Sequence, residues 1–166
     1  MRSLPYQIGL YALALASINI CWSMQPKKDI LKDTSFISSI INTETGYYKN
    51  IRAELPSDSY VGYIEYEPKD SDPTCWRIIR TIVYSEYREN GIGRNLLHRC
   101  IDDIQEQKAR KLSWAVIPWG PYPLSTEELL DVYKRMLGKI DNSFLAKIIV
   151  KERENGRSPK MTLNLE

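Results

Sequence analysis

The chain has one histidine and three cysteines in 166 residues. Cys21, Cys75 and Cys100 stand far apart and are odd in number. They have neither the spacing of a metal site nor the makings of a disulfide framework, so a reducing compartment is the simpler reading. His98, the lone histidine, falls inside a helix-like run and reads as a surface or packing residue rather than a base. Charge of one sign is also missing. The net charge of +2 excludes the broad basic face of a nucleic-acid binder. The small cluster Lys108, Arg110, Lys111 reads as a solvated helix end, where cations complement the dipole. There is no internal repeat and no low-complexity tract.

Charge is absent altogether from Ser3 to Pro26. The run Ile8–Trp22 inside that stretch is largely apolar, and three readings of it stay open. It is a buried strand and helix opening the domain, a secretory signal with Arg2 as its basic end, or a membrane anchor. Gln7, Ser17, Asn19 and Ser23 weaken the anchor. Lys27, Lys28 and Lys32 would keep the remainder cytoplasmic if the run spans. The chain therefore divides into an apolar segment, 1–26, and one domain, 27–166.

Within that domain the patterning alternates between two periods. Asp29–Ile41 reads as one or two short helices broken at Thr43–Gly46. Tyr47–Leu55 and Tyr60–Glu67 read as strands joined by a turn at Pro56–Ser59. The second puts Val61, Tyr63 and Glu65 on one face and Gly62, Ile64 and Tyr66 on the other. After a turn-rich Pro68–Pro73, Trp76–Tyr84 has the β-branched content of a central strand. Leu96, Leu97, Cys100, Ile101 and Ile104 form a helical stripe within Arg94–Gln107, with Asp102, Asp103 and Glu106 off it. Lys111–Ile117 is a strand and Trp119–Thr126 a loop. Glu127–Leu137 is a helix capped by Ser125 or Thr126 and stopped at Gly138. Phe144–Lys151 and Lys160–Leu165 read as strands flanking an Asn155-Gly156 hairpin signal. The order implies an α/β (α+β) domain with a mixed sheet and a parallel strand–helix–strand unit at its centre.

Arg88-Glu89-Asn90-Gly91-Ile92-Gly93-Arg94 lies at the strand-to-helix turn of that unit. Helix-start amides are unpaired, and the dipole there favours an anion. Gly91 and Gly93 allow close backbone approach and positive φ, while Arg88 and Arg94 add charge suited to phosphate oxygens. The loop is not a Walker A sequence. It also lacks the third glycine of a dinucleotide fingerprint, because Leu96 stands in its place.

The longer run Thr81–Leu97 resembles the acetyl-CoA motif of the GNAT N-acetyltransferase superfamily. A strand ending in Val83, an aromatic Tyr87, then Arg88-x-x-Gly91-x-Gly93 opening a Leu-Leu helix all match. Val132-Tyr133-Lys134-Arg135 and Gly138 resemble that family's second CoA-side motif. The likeness covers Tyr60–Lys139 and implies a mostly antiparallel sheet, flanked by helices, whose central parallel pair splays at the acetyl-CoA site. It implies acetyl transfer to an amine without a metal. The amides of Arg88, Glu89, Asn90, Gly91, Ile92, Gly93 and Arg94 would cradle the pyrophosphate, and Ile82 and Val83 the pantetheine arm. The Val83 N–H would meet the acetyl carbonyl, and Tyr133 would protonate the leaving sulfur. Glu65 is the first candidate base and Glu67 the second, since the central strand offers Arg77, Arg80 and Thr81 but no carboxylate. Thr126 and Lys139 stand where the family often has Asn and Phe. The aromatic loop Trp119–Leu124 either walls the acceptor pocket or packs. The acceptor is an amine, on a small molecule or a protein; the chain is a monomer or homodimer, cytoplasmic or tethered through residues 8–22. A degenerate domain that binds CoA or a protein partner without turnover is the alternative.

Overall fold

The computed structural model describes residues 29–57, 59–117, 124–153 and 157–166. The apolar run Ile8–Trp22 and most of the loop Trp119–Leu124 lie outside them. No described helix is long and apolar enough to cross a membrane. The chain divides into two units, and the second, Leu31–Glu166, carries the sheet and both long helices.

Among the described residues, seven strands form one sheet in the order β1-β2-β3-β4-β5-β7-β6. They are β1 (Ser35–Thr43), β2 (Gly46–Glu54), β3 (Tyr60–Lys69), β4 (Asp72–Val83), β5 (Lys111–Ala115), β6 (Ile148–Lys151) and β7 (Lys160–Asn164). Only β4 and β5 run parallel. Two long helices, α1 (Ile92–Glu106) and α2 (Thr126–Ile140), pack against each other. This is the mixed, mostly antiparallel architecture that the family resemblance implies.

The first helix reading is corrected. Only Ile30–Asp33 is helical, and Ser35–Thr43 is a strand. Its residues pair one for one with β2 across the two-residue turn Glu44-Thr45. Three isoleucines and three serines within these nine residues suit a strand more than a helix. The Pro68–Pro73 loop shrinks to a turn at Asp70-Ser71, because β3 runs to Lys69 and β4 begins at Asp72. Gly138 does not stop its helix, which continues to Ile140. A Cβ there would sit 3.2 Å from Leu145 Cδ1, so the glycine makes room for the following segment. That segment, Asn142–Lys147, is a 3-10 helix with Phe144 buried, and only Ile148–Lys151 of the expected strand remains. The Asp141 carboxylate starts it by accepting from the Ser143 amide at 2.8 Å. Asn155 and Gly156 lie outside the described residues.

The core lies between one sheet face and the helices. Leu96, Leu97, Cys100, Ile101 and Ile104 of α1 are buried with Ile51, Ile64 and Tyr66 of the sheet. Asp103 lies off the stripe yet is far from idle. Its carboxylate accepts from Lys49 Nζ at 2.8 Å, the Tyr66 hydroxyl at 3.0 Å and Gln107 Nε2 at 3.0 Å. Burial above all, with Cys100 and Asp103 adding to it, pushes the Tyr66 phenol up, so it stays a donor. These bonds pin α1 to β2 and β3 and so fix where its N-terminus points.

The sheet opens at its centre. β4 and β5 pair only from Cys75–Arg77 against Lys111–Ser113, while β4 continues to Val83. In the β3–β4 register Glu65 opposes Arg80 and Tyr66 opposes Ile78, so Ile79 is an extra residue in β4. A bulge bends its strand and increases twist. It falls two residues after the last β4–β5 pair, where the two parallel strands have parted.

Candidate active site

The gap between β4 and β5 widens into a cavity of about 610 Å³. Three elements line it: the far half of β4, the turn with the start of α1, and one face of α2.

The turn ends in an uncapped helix. Gly91 is the N-cap residue at φ 79, and no side chain bonds to the first turn of α1. The amides of Ile92, Gly93 and Arg94 have no intrahelical acceptor. α2 in the same chain is the opposite case. Ser125 Oγ accepts from the Glu128 amide and the Glu128 carboxylate accepts from the Ser125 amide, a complete capping box. A missing cap costs about 1 kcal/mol. Burying each apolar side chain of the α1 stripe returns about 1.5–3 kcal/mol, so packing carries the uncapped end.

Both glycines face the cavity, for different reasons. Gly91 needs its left-handed φ. Gly93, expected to share that conformation, is not among the positive-φ glycines and sits inside the helix. A Cβ on it would meet Val83 Cγ2 at 3.5 Å and Met136 Sδ at 3.6 Å, ordinary contacts. The fold therefore does not require a glycine at this position, and its absent side chain leaves backbone open to the cavity. Glu89 is also left-handed, at φ 65. Asn90 does not line the cavity; its Nδ2 donates to the carbonyls of Tyr87 and Arg88 at 3.3 and 3.0 Å and holds the turn. Arg88, Glu89, Ile92 and Arg94 do line it.

The strand end presents two amides. Tyr84 N–H donates to the Val61 carbonyl at 3.1 Å. Antiparallel pairing alternates, so the backbone groups of Ile82 turn to β3, and those of Thr81 and Val83 turn to the gap. The Val83 carbonyl there accepts from Arg88 Nε at 3.2 Å. Ile82 lines the cavity without offering it a backbone amide.

From α2 comes Tyr133, half-buried, its ring 5.4 Å from that of Trp114. Burial raises the phenol's pKa, and the neighbouring Thr81 hydroxyl offsets part of that. The approach does not close into a hydrogen bond of ordinary geometry, since Thr81 Oγ1 is buried without a partner. Leu129, Val132 and Met136 join Tyr133 along the cavity wall, with Arg135 and Lys139 at its edge. The sequence motif marks Val132, Tyr133 and Arg135 of these, but not Leu129 or Met136. The i, i+3, i+4, i+7 spacing of Leu129, Val132, Tyr133 and Met136 was the available signal. Arg88, Arg94, Arg135 and Lys139 against Glu89 make the lining cationic.

The two carboxylates are elsewhere. Glu67 is ion-paired with Arg77. Glu65 does not line the cavity. It opposes Arg80 on the sheet face turned away from α1 and accepts from Asn50 Nδ2 at 3.4 Å. His98 stands half-exposed on α1, 3.5 Å from Asp102.

The family model described as Acetyltransferase (GNAT) family matches residues 12–122, which includes β4, the turn and α1 but not α2. No curated protein matches the chain. Among solved structures, an acetyltransferase of the GNAT family from Staphylococcus aureus Mu50 has a TM-score of 0.51 at 15% identity, covering 72% of this chain and 68% of the other. The PaiA N-acetyltransferase of Thermoplasma acidophilum, solved with coenzyme A, gives 0.52 at 13% identity over 70% and 60% of the two chains. The GNAT family N-acetyltransferase YhbS of Escherichia coli, in complex with CoA, gives 0.50 at 16% over 71% and 59%. At these identities the likeness is one of fold.

Proposed function

This chain belongs to the GNAT acetyltransferase family, and on that premise we propose that it transfers an acetyl group from acetyl-CoA to a primary amine by direct attack. The observation that carries this is the contrast between its helices. The one whose start opens into the cavity is uncapped, while α2, in the same chain, is fully capped.

The residues present fit the cosubstrate. The amides of Ile92, Gly93 and Arg94, with Arg88 and Arg94 beside them, suit a pyrophosphate. Arg135 and Lys139 add charge for a further phosphate. The gap-facing Val83 amide suits the pantetheine arm. Thr81 is the one of the two whose side chain approaches Tyr133, and on that ground its amide is assigned to the carbonyl oxygen that gains charge as the amine attacks. This moves the oxyanion role from Val83 to Thr81. The amine nitrogen bonds to the carbonyl carbon, the carbon–sulfur bond breaks, and Tyr133 gives its proton to the departing sulfur. Its raised pKa keeps that proton in place through neutral pH. The amine sheds its own protons to Glu65 and to water.

Thermal unfolding with and without acetyl-CoA tests the binding half. A ligand at about 100 times its Kd adds about 2.7 kcal/mol, a clear rise in Tm. Thiol release in the presence of an amine panel tests the transfer. The absence of any acyl-CoA stabilisation at saturation would falsify the proposal. Binding without transfer to any amine would leave a CoA-binding domain.

A further inference from the structure

We propose that the acceptor is a small amine that also carries a carboxylate, an α-amino acid in its zwitterionic form. Glu65 and the Asn50 side-chain oxygen receive its nitrogen, and Arg80 receives its carboxylate. The inference rests on the acetyl-transfer reading and names the acceptor class for it.

Glu65 and Arg80 are directly opposed across β3 and β4, on the sheet face away from α1. Opposite charges so placed would be expected to pair. No ion pair joins them. Glu65 instead accepts from Asn50 Nδ2 at 3.4 Å, and Arg80 Nη1 donates to the Tyr63 hydroxyl at 3.4 Å. Both bonds are long and readily exchanged for a ligand's. The neighbouring charges on these strands are already engaged, Arg52 with Glu54 at 3.7 Å and Arg77 with Glu67. Glu65 and Arg80, side by side, have no ion pair among the described residues.

Asn50 supplies the second observation. It is 6% exposed, and its Oδ1 has no hydrogen-bond partner among the described residues. A buried acceptor without a donor is costly, and an ammonium between Oδ1 and Glu65 removes that cost. A polyamine would set a second cation against Arg80, and a phosphate would set an anion against Glu65. A zwitterion matches both. The site is also near the reacting atoms. Arg80 adjoins Thr81, and β3 lies about 5 Å from β4, so the nitrogen approaches from this face while the cosubstrate fills the gap.

The bound ammonium passes one proton to Glu65 and its lone pair forms the bond to the acetyl carbon. As the carbon–sulfur bond breaks, the sulfur takes the Tyr133 proton. The nitrogen's second proton restores the phenol through water, and Glu65 releases its proton to solvent. The products are the N-acetyl amino acid, CoA thiol and one proton.

The full-length chain, saturated with acetyl-CoA, is offered a mixture of the common amino acids and, separately, the matching amino acid amides. Products are identified by mass, and CoA release is followed with a thiol reagent. At least one free amino acid is acetylated with kcat/KM about 100-fold above its amide. Arg80→Met raises KM for that amino acid about tenfold with kcat little changed and the amide unaffected, and Arg80→Lys recovers part of the loss. Preference for amides or other carboxylate-free amines overturns the inference and leaves acetyl transfer standing. So does acetyl-CoA binding with no amino acid turned over and none altering the tryptophan fluorescence of the complex. Failure to bind acetyl-CoA overturns the underlying reading itself.

Discussion

Arg88 donates from Nε to the carbonyl oxygen of Val83 at 3.2 Å. At Val83 strand β4 has lost β5 as a neighbour, so a side chain satisfies an acceptor that the sheet leaves free. The bond ties the anion-binding turn to the strand end. The two backbone surfaces of the cavity, helix-start amides and strand amides, are thereby held in one frame.

Gly93→Glu separates that surface from the fold. A Cβ at Gly93 meets only ordinary contacts, and replacing a helical glycine gains up to about 1 kcal/mol. The variant should melt at or above the parent temperature without ligand. Its carboxylate enters the cavity, so acetyl-CoA should no longer raise Tm. Retention of the full rise would contradict a pyrophosphate at α1.

Tyr133→Phe removes a hydroxyl that approaches Thr81, whose Oγ1 has no hydrogen-bond partner among the described residues. Stability should change by less than about 1 kcal/mol. Turnover should fall about 10- to 100-fold, with the KM for acetyl-CoA nearly constant, as expected when a proton donor to the transition state is lost. Steady-state kinetics decide this; an unchanged kcat would remove Tyr133 from the chemistry.

Ser125→Ala breaks both bonds of the capping box on α2. A loss of about 1 kcal/mol, read as a lower urea midpoint, is the expected outcome. No comparable loss is available at Gly91, where the helix start has no side-chain cap to remove.

Asp72 sets an acid-side signature. The Cys75 thiol at 2.9 Å, then the hydroxyl and amide of Thr74, hold its carboxyl down at about 2. A carboxyl lowered on folding contributes stability above its unfolded value, near 3.8, and loses it as pH falls through the folded one. The urea midpoint of the parent should exceed that of Asp72→Asn at pH 5, and the difference should close between about pH 4 and pH 2. A constant gap across that window would show that the carboxylate's charge is not what matters.

The anion site was legible in the residues because it is built from contiguous backbone. Arg88–Arg94 fall at one strand-to-helix turn, and the uncapped start follows from their order. The α1 stripe was equally legible, since Leu96, Leu97, Cys100, Ile101 and Ile104 repeat at helical spacing and all are buried. The strand at Ser35–Thr43 was missed because its apolar residues fit a helix nearly as well, and pairing with β2 decided between them. The gap-facing amides were half legible. Val83 was expected, but only the Tyr84–Val61 bond reveals that Ile82 turns its backbone the other way.

The sequence by itself determined the local pieces: which runs alternate by two, which by 3.6, where glycine permits φ 79, and which side chains bracket an anion. These depend on neighbours along the chain, and short-range sterics and dipoles settle them. Only the tertiary structure decided that β4 and β5 part after Arg77, that Tyr133 meets Thr81, and that Glu65 faces Arg80 without pairing. Each is a relation between distant residues, set by register, by one extra residue at Ile79 and by the anchoring of α1 through Asp103. No local preference encodes them, because they arise when the elements compete to bury the same core.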